Sequence, residues 1–391
     1  MTSIDHNFEP AYFLRCHSKK NDNADVQTQV WMCQFEPDPE NPEKTTNIVA
    51  TCGGNSVCLI DVTTGKVVAK YIPKDLREML YTLCWASWPL PGRGGTVNVI
   101  ATAGVRNTVH LILPAPPTLA SCFLTHHFDT PRRIKPIQAL IFLPHDPYTV
   151  IVGDTNGVVR VCKITVSGSP PFEDACSMEV LYELSTESEI FSFAFCTTTQ
   201  ILLAGCNDGL MGFEITDENH SPKLLKFSMP ILPDVESALV DSVEIIGNGL
   251  VASKCALHPA IYIWHLPTAL KCNCTVAPTH LLHWSDTDNY FMYIGLQSHC
   301  GLLCCGDDMG ALWLYDILNL DTSHRQLKPI AVEPSAIFPW PILSDSSTEK
   351  KRKLNLDVYD IVVDKVTINY DGTCIVAVTN NNLVCIWKRK S

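Results

Sequence analysis

The chain lacks any apolar run near the ~20 residues that a membrane-spanning helix needs. Its first residues, MTSIDHNFEP, have neither the basic stretch nor the apolar core of a secretory signal. Positive charge is scarce: 29 Lys and Arg stand against 41 Asp and Glu, a formal charge of −12. Sequence-independent DNA binding rests on a basic surface that neutralises phosphates, so this balance argues against direct DNA contact. An acidic surface suits a basic partner instead, such as a histone tail. Catalytic signatures are missing as well: there is no GxGxxG, GxxxxGKS/T, GxSxG, HExxH or CxxC. The close pairs Cys272–Cys274 and Cys304–Cys305 have no second pair at zinc spacing. No carboxylate pair stands out, and the 13 His are scattered. The expectation is a protein that is not an enzyme, binds no metal and needs no cofactor or membrane. Sustained helical periodicity is also absent, which argues against a helical solenoid.

Hydrophobic residues are plentiful, at 46%, enough for a substantial core. The 18 Cys fall mostly inside apolar runs, including Cys33, Cys58, Cys84, Cys162, Cys196 and Cys385. Without a secretion signal, buried and reduced thiols are expected.

A short pattern recurs seven times: a strand ending in small residues, a turn, then a second apolar strand. The copies include NIVATCGGNSVCLID, YTVIVGDTNGVVRVCK, GLLCCGDDMGALWLYD and CIVAVTNNNLVCIWK. The position at which WD repeats carry Trp falls at Ile60, Ile112, Cys162, Glu214, Trp264, Tyr315 and Trp387. The steps are about 50–52 residues and finally about 72, longer than the ~40–45 of a typical WD repeat. The segments are β-branched, aromatic-rich and bounded by Gly, Asn, Asp or Pro, as strands should be. Asn156-Gly157 and Asp208-Gly209 read as two-residue hairpin turns with both residues at positive φ.

Innermost strands are predicted to begin at Trp31, Tyr81, Ile137, Ile190, Leu239, Phe291 and Lys365. Outer strands are KVVAKYI, LASCFLTHH, EVLYELS, PKLLKFS, a segment near 272–283 and another within 325–342. The seventh copy has no outer strand of its own. AYFLRCHSK, at about residues 10–19, supplies it and closes the ring. The fold predicted is an all-β, seven-bladed WD40 propeller occupying residues 1–391 as one domain. The long last step locates a polar loop at roughly 343–356. Its run Lys350-Lys351-Arg352-Lys353 reads as a nuclear import signal or simply as a solvated loop. Ser346, Ser347 and Thr348 beside it are candidate phosphate acceptors.

Propellers bind at the rims of the channel, where inner strands begin. Three strand starts carry large aromatics: Trp31, Tyr81 and Tyr290-Phe291. Ring faces attract cations, so three converging rings form a cage for a quaternary ammonium. A single strand-initial aromatic is ordinary core; the joint occurrence favours the cage.

At these residues the chain resembles a known family. IVATCGGNSVCLIDVTTGKVVAKY, GLVASK, DNYFMYIGL, LLCCGDDMGALWLYDI and TINYDGTCIVAVTNNNLVCIWKR resemble the WD-repeat half of leucine-rich-repeat and WD-repeat-containing protein 1, the origin recognition complex-associated family. More distantly, Tyr81–Trp85 and Tyr290-Phe291-Met292 are similar to the Polycomb propeller EED, or extra sex combs. That likeness implies trimethyl-lysine held by Trp31, Tyr81 and Phe291 with Tyr290, and Lys365 near the peptide. The family resemblance implies a nuclear, chromatin-associated scaffold. Its implied partners are origin recognition complex subunits, methylated histone H3/H4 tails and other replication-licensing or chromatin proteins. The family carries leucine-rich repeats before its propeller; this sequence opens almost at the propeller, so roles resting on those repeats are not carried over. The alternatives are an EED-like subunit of a Polycomb methyltransferase complex and a propeller adaptor unrelated to chromatin.

Overall fold

Short β-branched and aromatic segments separated by Gly, Asn and Asp turns produce strands almost throughout. The computed structural model describes residues 7–390 apart from 19–21, 23–24, 91–94, 115–119, 129–134, 173–174, 217–221, 233–237, 319, 321–327 and 342–360. The strands form seven sheets, antiparallel but for one added parallel strand, arranged as the blades of a ring. The inner strands of blades 1 to 7 are, in order, Val30–Pro37, Leu80–Pro89, Ile137–Leu143, Ile190–Cys196, Val240–Gly247, Gly295–Gln297 and Val363–Ile368. All seven contribute residues to the wall of the central channel.

The core consists of layers, one between each pair of neighbouring blades. Val49 and Ile60 of blade 1 pack on Val376 and Ile386 of blade 7. Ile261 and Ile263 of blade 5 meet Leu303 and Tyr315 of blade 6. The strand order explains why the third strand of each blade reads as a nearly continuous apolar run. Both of its faces are covered by a neighbour, so alternation has no use there. Twelve of the 18 cysteines are buried in these layers or beside them, and all 18 are free thiols.

The ring closes through the N-terminus. Phe8–Leu14 pairs antiparallel with Val384–Arg389, from Phe8 opposite Arg389 to Leu14 opposite Val384. The closing strand thus begins and ends earlier than the 10–19 expected. Arg15 to Ser18 leave the sheet, and His17 is buried against blade 1, where its Nε2 lies 2.8 Å from Thr51 Oγ1.

Several expectations are corrected. Neither Asn156 nor Asp208 has a positive φ. Thr155 and Asn156 form the centre of one turn, closed by a hydrogen bond from Gly157 N–H to Asp154 O at 3.1 Å. Asp154 Oδ1 also accepts the Asn156 and Val158 amides, which holds the turn residues right-handed, and Gly157 alone takes φ 76. A Cβ on Gly157 would sit 2.6 Å from Ser188 O, so both φ and space demand glycine. The second turn centres on Asn207-Asp208, with Gly209 at φ 120 opening the next strand. The blade 6 outer strand expected within 325–342 is found at Ala336–Phe338, but Ile330–Val332 before it joins blade 5 as an unexpected fifth, parallel strand. The sixth inner strand begins at Gly295, four residues later than expected. Lys350 to Lys353 and the neighbouring Ser346, Ser347 and Thr348 lie outside the described residues.

Because the closing strand covers the last blade's edge, both termini bear on every inter-blade layer. Deleting residues 1–20 should lower the melting temperature by roughly 10 °C or more, or abolish soluble expression. Calorimetry of the truncated chain checks this; unchanged melting would separate closure from stability.

Candidate functional site

Six of the seven inner strands share one irregularity. Their pairing register slips at the second residue: Trp31, Tyr81, Gln138, Phe191, Asp241 and Asp364 each stand unpaired between two paired neighbours. A β-bulge re-aims the extra side chain. Three of these side chains, Trp31, Tyr81 and Gln138, reach one rim of the ring, whereas Phe191, Asp241 and Asp364 are buried.

The result is a pocket of about 360 Å³, lined by Trp31, Tyr81, Gln138, Glu189, Phe291 and Tyr293, with Pro136 and Thr155 at its side. This lies within the range of small-ligand pockets, about 300–1,000 Å³. The Trp31 and Tyr81 rings meet edge-on, with centroids 5.5 Å apart and planes at 76°. Phe291 packs on Phe191 at 4.9 Å. Glu189 is the carboxylate of the lining. Partial burial raises its pKa, and its Oε1 accepts a hydrogen bond from Gln138 Nε2 at 3.4 Å, which opposes the shift. Rings beside a carboxylate are a chemical match for an organic cation.

Phe291 has no bulge to place it, because blade 6 has not yet begun. The chain there adopts φ 66, a conformation uncommon for a bulky residue. A buried ion pair of blade 5 holds it. Lys254 Nζ donates to Asp241 Oδ2 at 2.7 Å, and both side chains are 0% exposed. The same oxygen accepts the Phe291 amide at 3.0 Å. Ser242 Oγ then accepts the Ile294 amide at 3.0 Å. Blade 5 thus satisfies amides that a strand partner would normally take, which explains the late start of the sixth inner strand. Burial raises the Asp241 pKa, while Lys254 pulls it back.

The structure brings Trp31, Tyr81 and Phe291 to one pocket. Tyr290 is 41% exposed, stands beside Phe291 at 6.1 Å, and does not line the pocket. Lys365 is not brought there. It lies in the channel, donating to Glu244 Oε1 at 3.1 Å and to Ile294 O at 2.5 Å. Gln138, Glu189, Phe191 and Tyr293 were missed from sequence. Phe191 had a usable signal, since it follows the strand-initial Ile190 as Trp31 follows Val30 and Tyr81 follows Leu80.

Seven four- or five-stranded blades, closed by a shared N- and C-terminal sheet, define a WD-repeat β-propeller. A family described as the WD domain of leucine-rich repeat and WD repeat-containing protein 1 matches residues 3–390, and the chain belongs to that family. It is 28% identical to leucine-rich repeat and WD repeat-containing protein 1 of Xenopus tropicalis, covering 98% of this chain and 55% of the relative. The Homo sapiens relative is also 28% identical, with 97% and 58% covered. The chain therefore spans a little over half the length of these relatives. A chain from a humanized mutant of the Chaetomium thermophilum Polycomb Repressive Complex 2, bound to the inhibitor GSK126, has the same fold. Its TM-score is 0.64 at 13% identity, covering 98% of this chain and 97% of that one.

Asp364, the bulge residue of blade 7, supports the rim from below. Its carbonyl accepts the Tyr293 amide at 2.8 Å, and its Oδ1 accepts Gln29 Nε2 at 2.9 Å. Its Oδ2 has no hydrogen-bond partner among the described residues, and burial pushes its pKa well above the ordinary 3.8. The folded state therefore keeps a proton that the unfolded chain releases, so this group costs stability as pH rises past 3.8. The stability difference between Asp364→Asn and wild type should move toward the variant from pH 4 to 7, by at most about 1.4 kcal/mol per pH unit. Urea midpoints across that range check it; a flat difference would mean an ordinary, ionised Asp364.

Proposed function

We propose that this protein is a non-catalytic chromatin reader and scaffold. It binds trimethyl-lysine of H3 or H4 tails at the rim pocket and links the origin recognition complex to repressive chromatin in the nucleus. The observation that carries the reading is the convergence of Trp31, Tyr81 and Phe291 beside Glu189 in one pocket. A trimethylammonium is poorly hydrated, so entering a ring-lined site costs little desolvation, and each well-placed ring contributes roughly 0.5–2 kcal/mol. The net charge of −12 favours a basic tail over nucleic acid. Family membership supports the origin-complex partner, and the propeller shared with a Polycomb complex chain supports a chromatin setting.

Titration of trimethylated and unmethylated tail peptides tests the pocket. Trp31→Ala, Tyr81→Ala and Phe291→Ala should each weaken trimethyl-peptide binding by about three- to thirty-fold while remaining folded by circular dichroism. A folded wild type that does not distinguish the two peptides would make these rings core packing. Affinity purification from nuclei separates the reading from an EED-like one, through origin subunits against methyltransferase subunits.

Import is proposed to use the basic run. Changing Lys350, Lys351, Arg352 and Lys353 to Ala should leave the melting temperature unchanged and reduce nuclear accumulation of a fluorescent fusion. Undiminished accumulation would rule the import role out.

A further inference from the structure

Two cysteines meet where the closing strand hands over to blade 1. Cys16 follows the Phe8–Leu14 strand and is half-buried, whereas Cys58, in the Ser56–Asp61 strand of blade 1, is buried. Their sulfurs and a ring nitrogen of His17 all lie within 4.8 Å of one another. Lys70, directly across the ladder from Cys58, donates from Nζ to Cys16 O at 2.7 Å. Burial alone would raise the Cys58 pKa. The neighbouring Cys16 thiol, His17 and the Lys70 ammonium outweigh it and hold the thiol well below its ordinary range. The Cys16 thiol, which engages Cys58 in a largely dry site, rises well above that range. When protonated, Cys58 can rest on the Cys16 carbonyl, 3.4 Å away, so ionisation gives up only a weak bond.

A metal ion is a poorer occupant. His17 places Nδ1 against Gly53 O at 3.1 Å and Ser56 Oγ at 2.9 Å, and Nε2 against Thr51 Oγ1 at 2.8 Å. It has no idle nitrogen, and the Lys70 ammonium repels a cation.

We propose that Cys16 and Cys58 form a peroxide-reactive dithiol that closes to a disulfide at the seam of the ring. The Cys58 thiolate attacks one oxygen of hydrogen peroxide, and the O–O bond breaks. Sulfenic acid forms on Cys58, and the departing hydroxide takes a proton to become water. The Cys16 sulfur then attacks the sulfenic sulfur. The S–S bond forms, the S–O bond breaks, and the hydroxyl leaves with the Cys16 proton as a second water. Two thiols and one peroxide give one disulfide and two waters, with two electrons passing from sulfur to peroxide. Peroxide is small enough to enter beside the half-buried Cys16. The link pins the chain between the closing strand and blade 1, so it restrains the seam on which ring closure depends.

The test uses the reduced full chain, treated with hydrogen peroxide, alkylated and digested. The expected product is a Cys16–Cys58 linked peptide, lighter by two hydrogens than its parts and released by a thiol reductant. It should accumulate before the exposed Cys272 is modified. The oxidised wild type should melt higher than the reduced form by roughly 5 °C or more. Cys16→Ser should fold, show no such rise, and retain a sulfenic acid on Cys58 that dimedone traps. Cys16 and Cys58 both alkylating after unfolding, once Cys272 has been consumed, would overturn the proposal. So would Cys16 linking only between molecules.

Discussion

Each blade is apolar on both faces, and a propeller keeps both faces dry only if every blade has two neighbours. The inter-blade layers are therefore one closed cycle, and the seam between blades 7 and 1 carries as much as any other. Large apolar side chains contribute about 1.5–3 kcal/mol each on burial. Exposing a layer such as that around Val30, Val49, Ile60, Val376 and Ile386 would exceed the ~5–15 kcal/mol that holds a typical domain together. The Phe8–Leu14 strand, the buried His17 and the chain through Cys16 all serve this one seam. Most thiols belong to the layers as small apolar groups, and burial pushes Cys33 and Cys162 up to about 12. Cys58 differs because basic partners reach it.

The rim depends on a local device repeated around the ring. A bulge at the second residue of an inner strand turns that side chain out of the ladder, onto the rim pocket or just beneath it. What stands there sets the chemistry. Aromatics at Trp31, Tyr81 and Phe191 supply rings, whereas Asp241 and Asp364 supply acceptors for the segment that carries Phe291 and Tyr293. The buried Asp241–Lys254 pair follows from this. Removing one partner of such a pair leaves an uncompensated charge, typically worth about 3–5 kcal/mol. Left-handed Phe291 is thus held by an anchor that solvent does not reach.

Much of this was legible in the sequence, because strand formation and turn chemistry are local. The repeat period, the seven copies and the shared last blade were all countable, and Trp31 and Tyr81 stood at recognisable strand starts. Phe291 was placed at the rim for the wrong reason, as a strand start that lies instead at Gly295. The misplaced turns have the same origin. Asn156-Gly157 reads as a positive-φ pair until Asp154 takes the turn amides, and Ile330–Val332 becomes a strand only because blade 5 offers it an edge. Glu189 and Gln138 carried no signal, since a polar residue at a strand end is ordinary.

The sequence by itself determined which segments extend, to within a few residues, and that one blade must be assembled from both ends of the chain, since each follows from side-chain branching and apolar patterning over a few residues. Only the tertiary structure decided which side chains face each other across the ring: Trp31 against Tyr81, Phe291 over Phe191, Lys365 withdrawn into the channel, Cys16 beside Cys58. Those meetings depend on bulges and on hydrogen bonds between blades, and their partners lie tens to hundreds of residues apart.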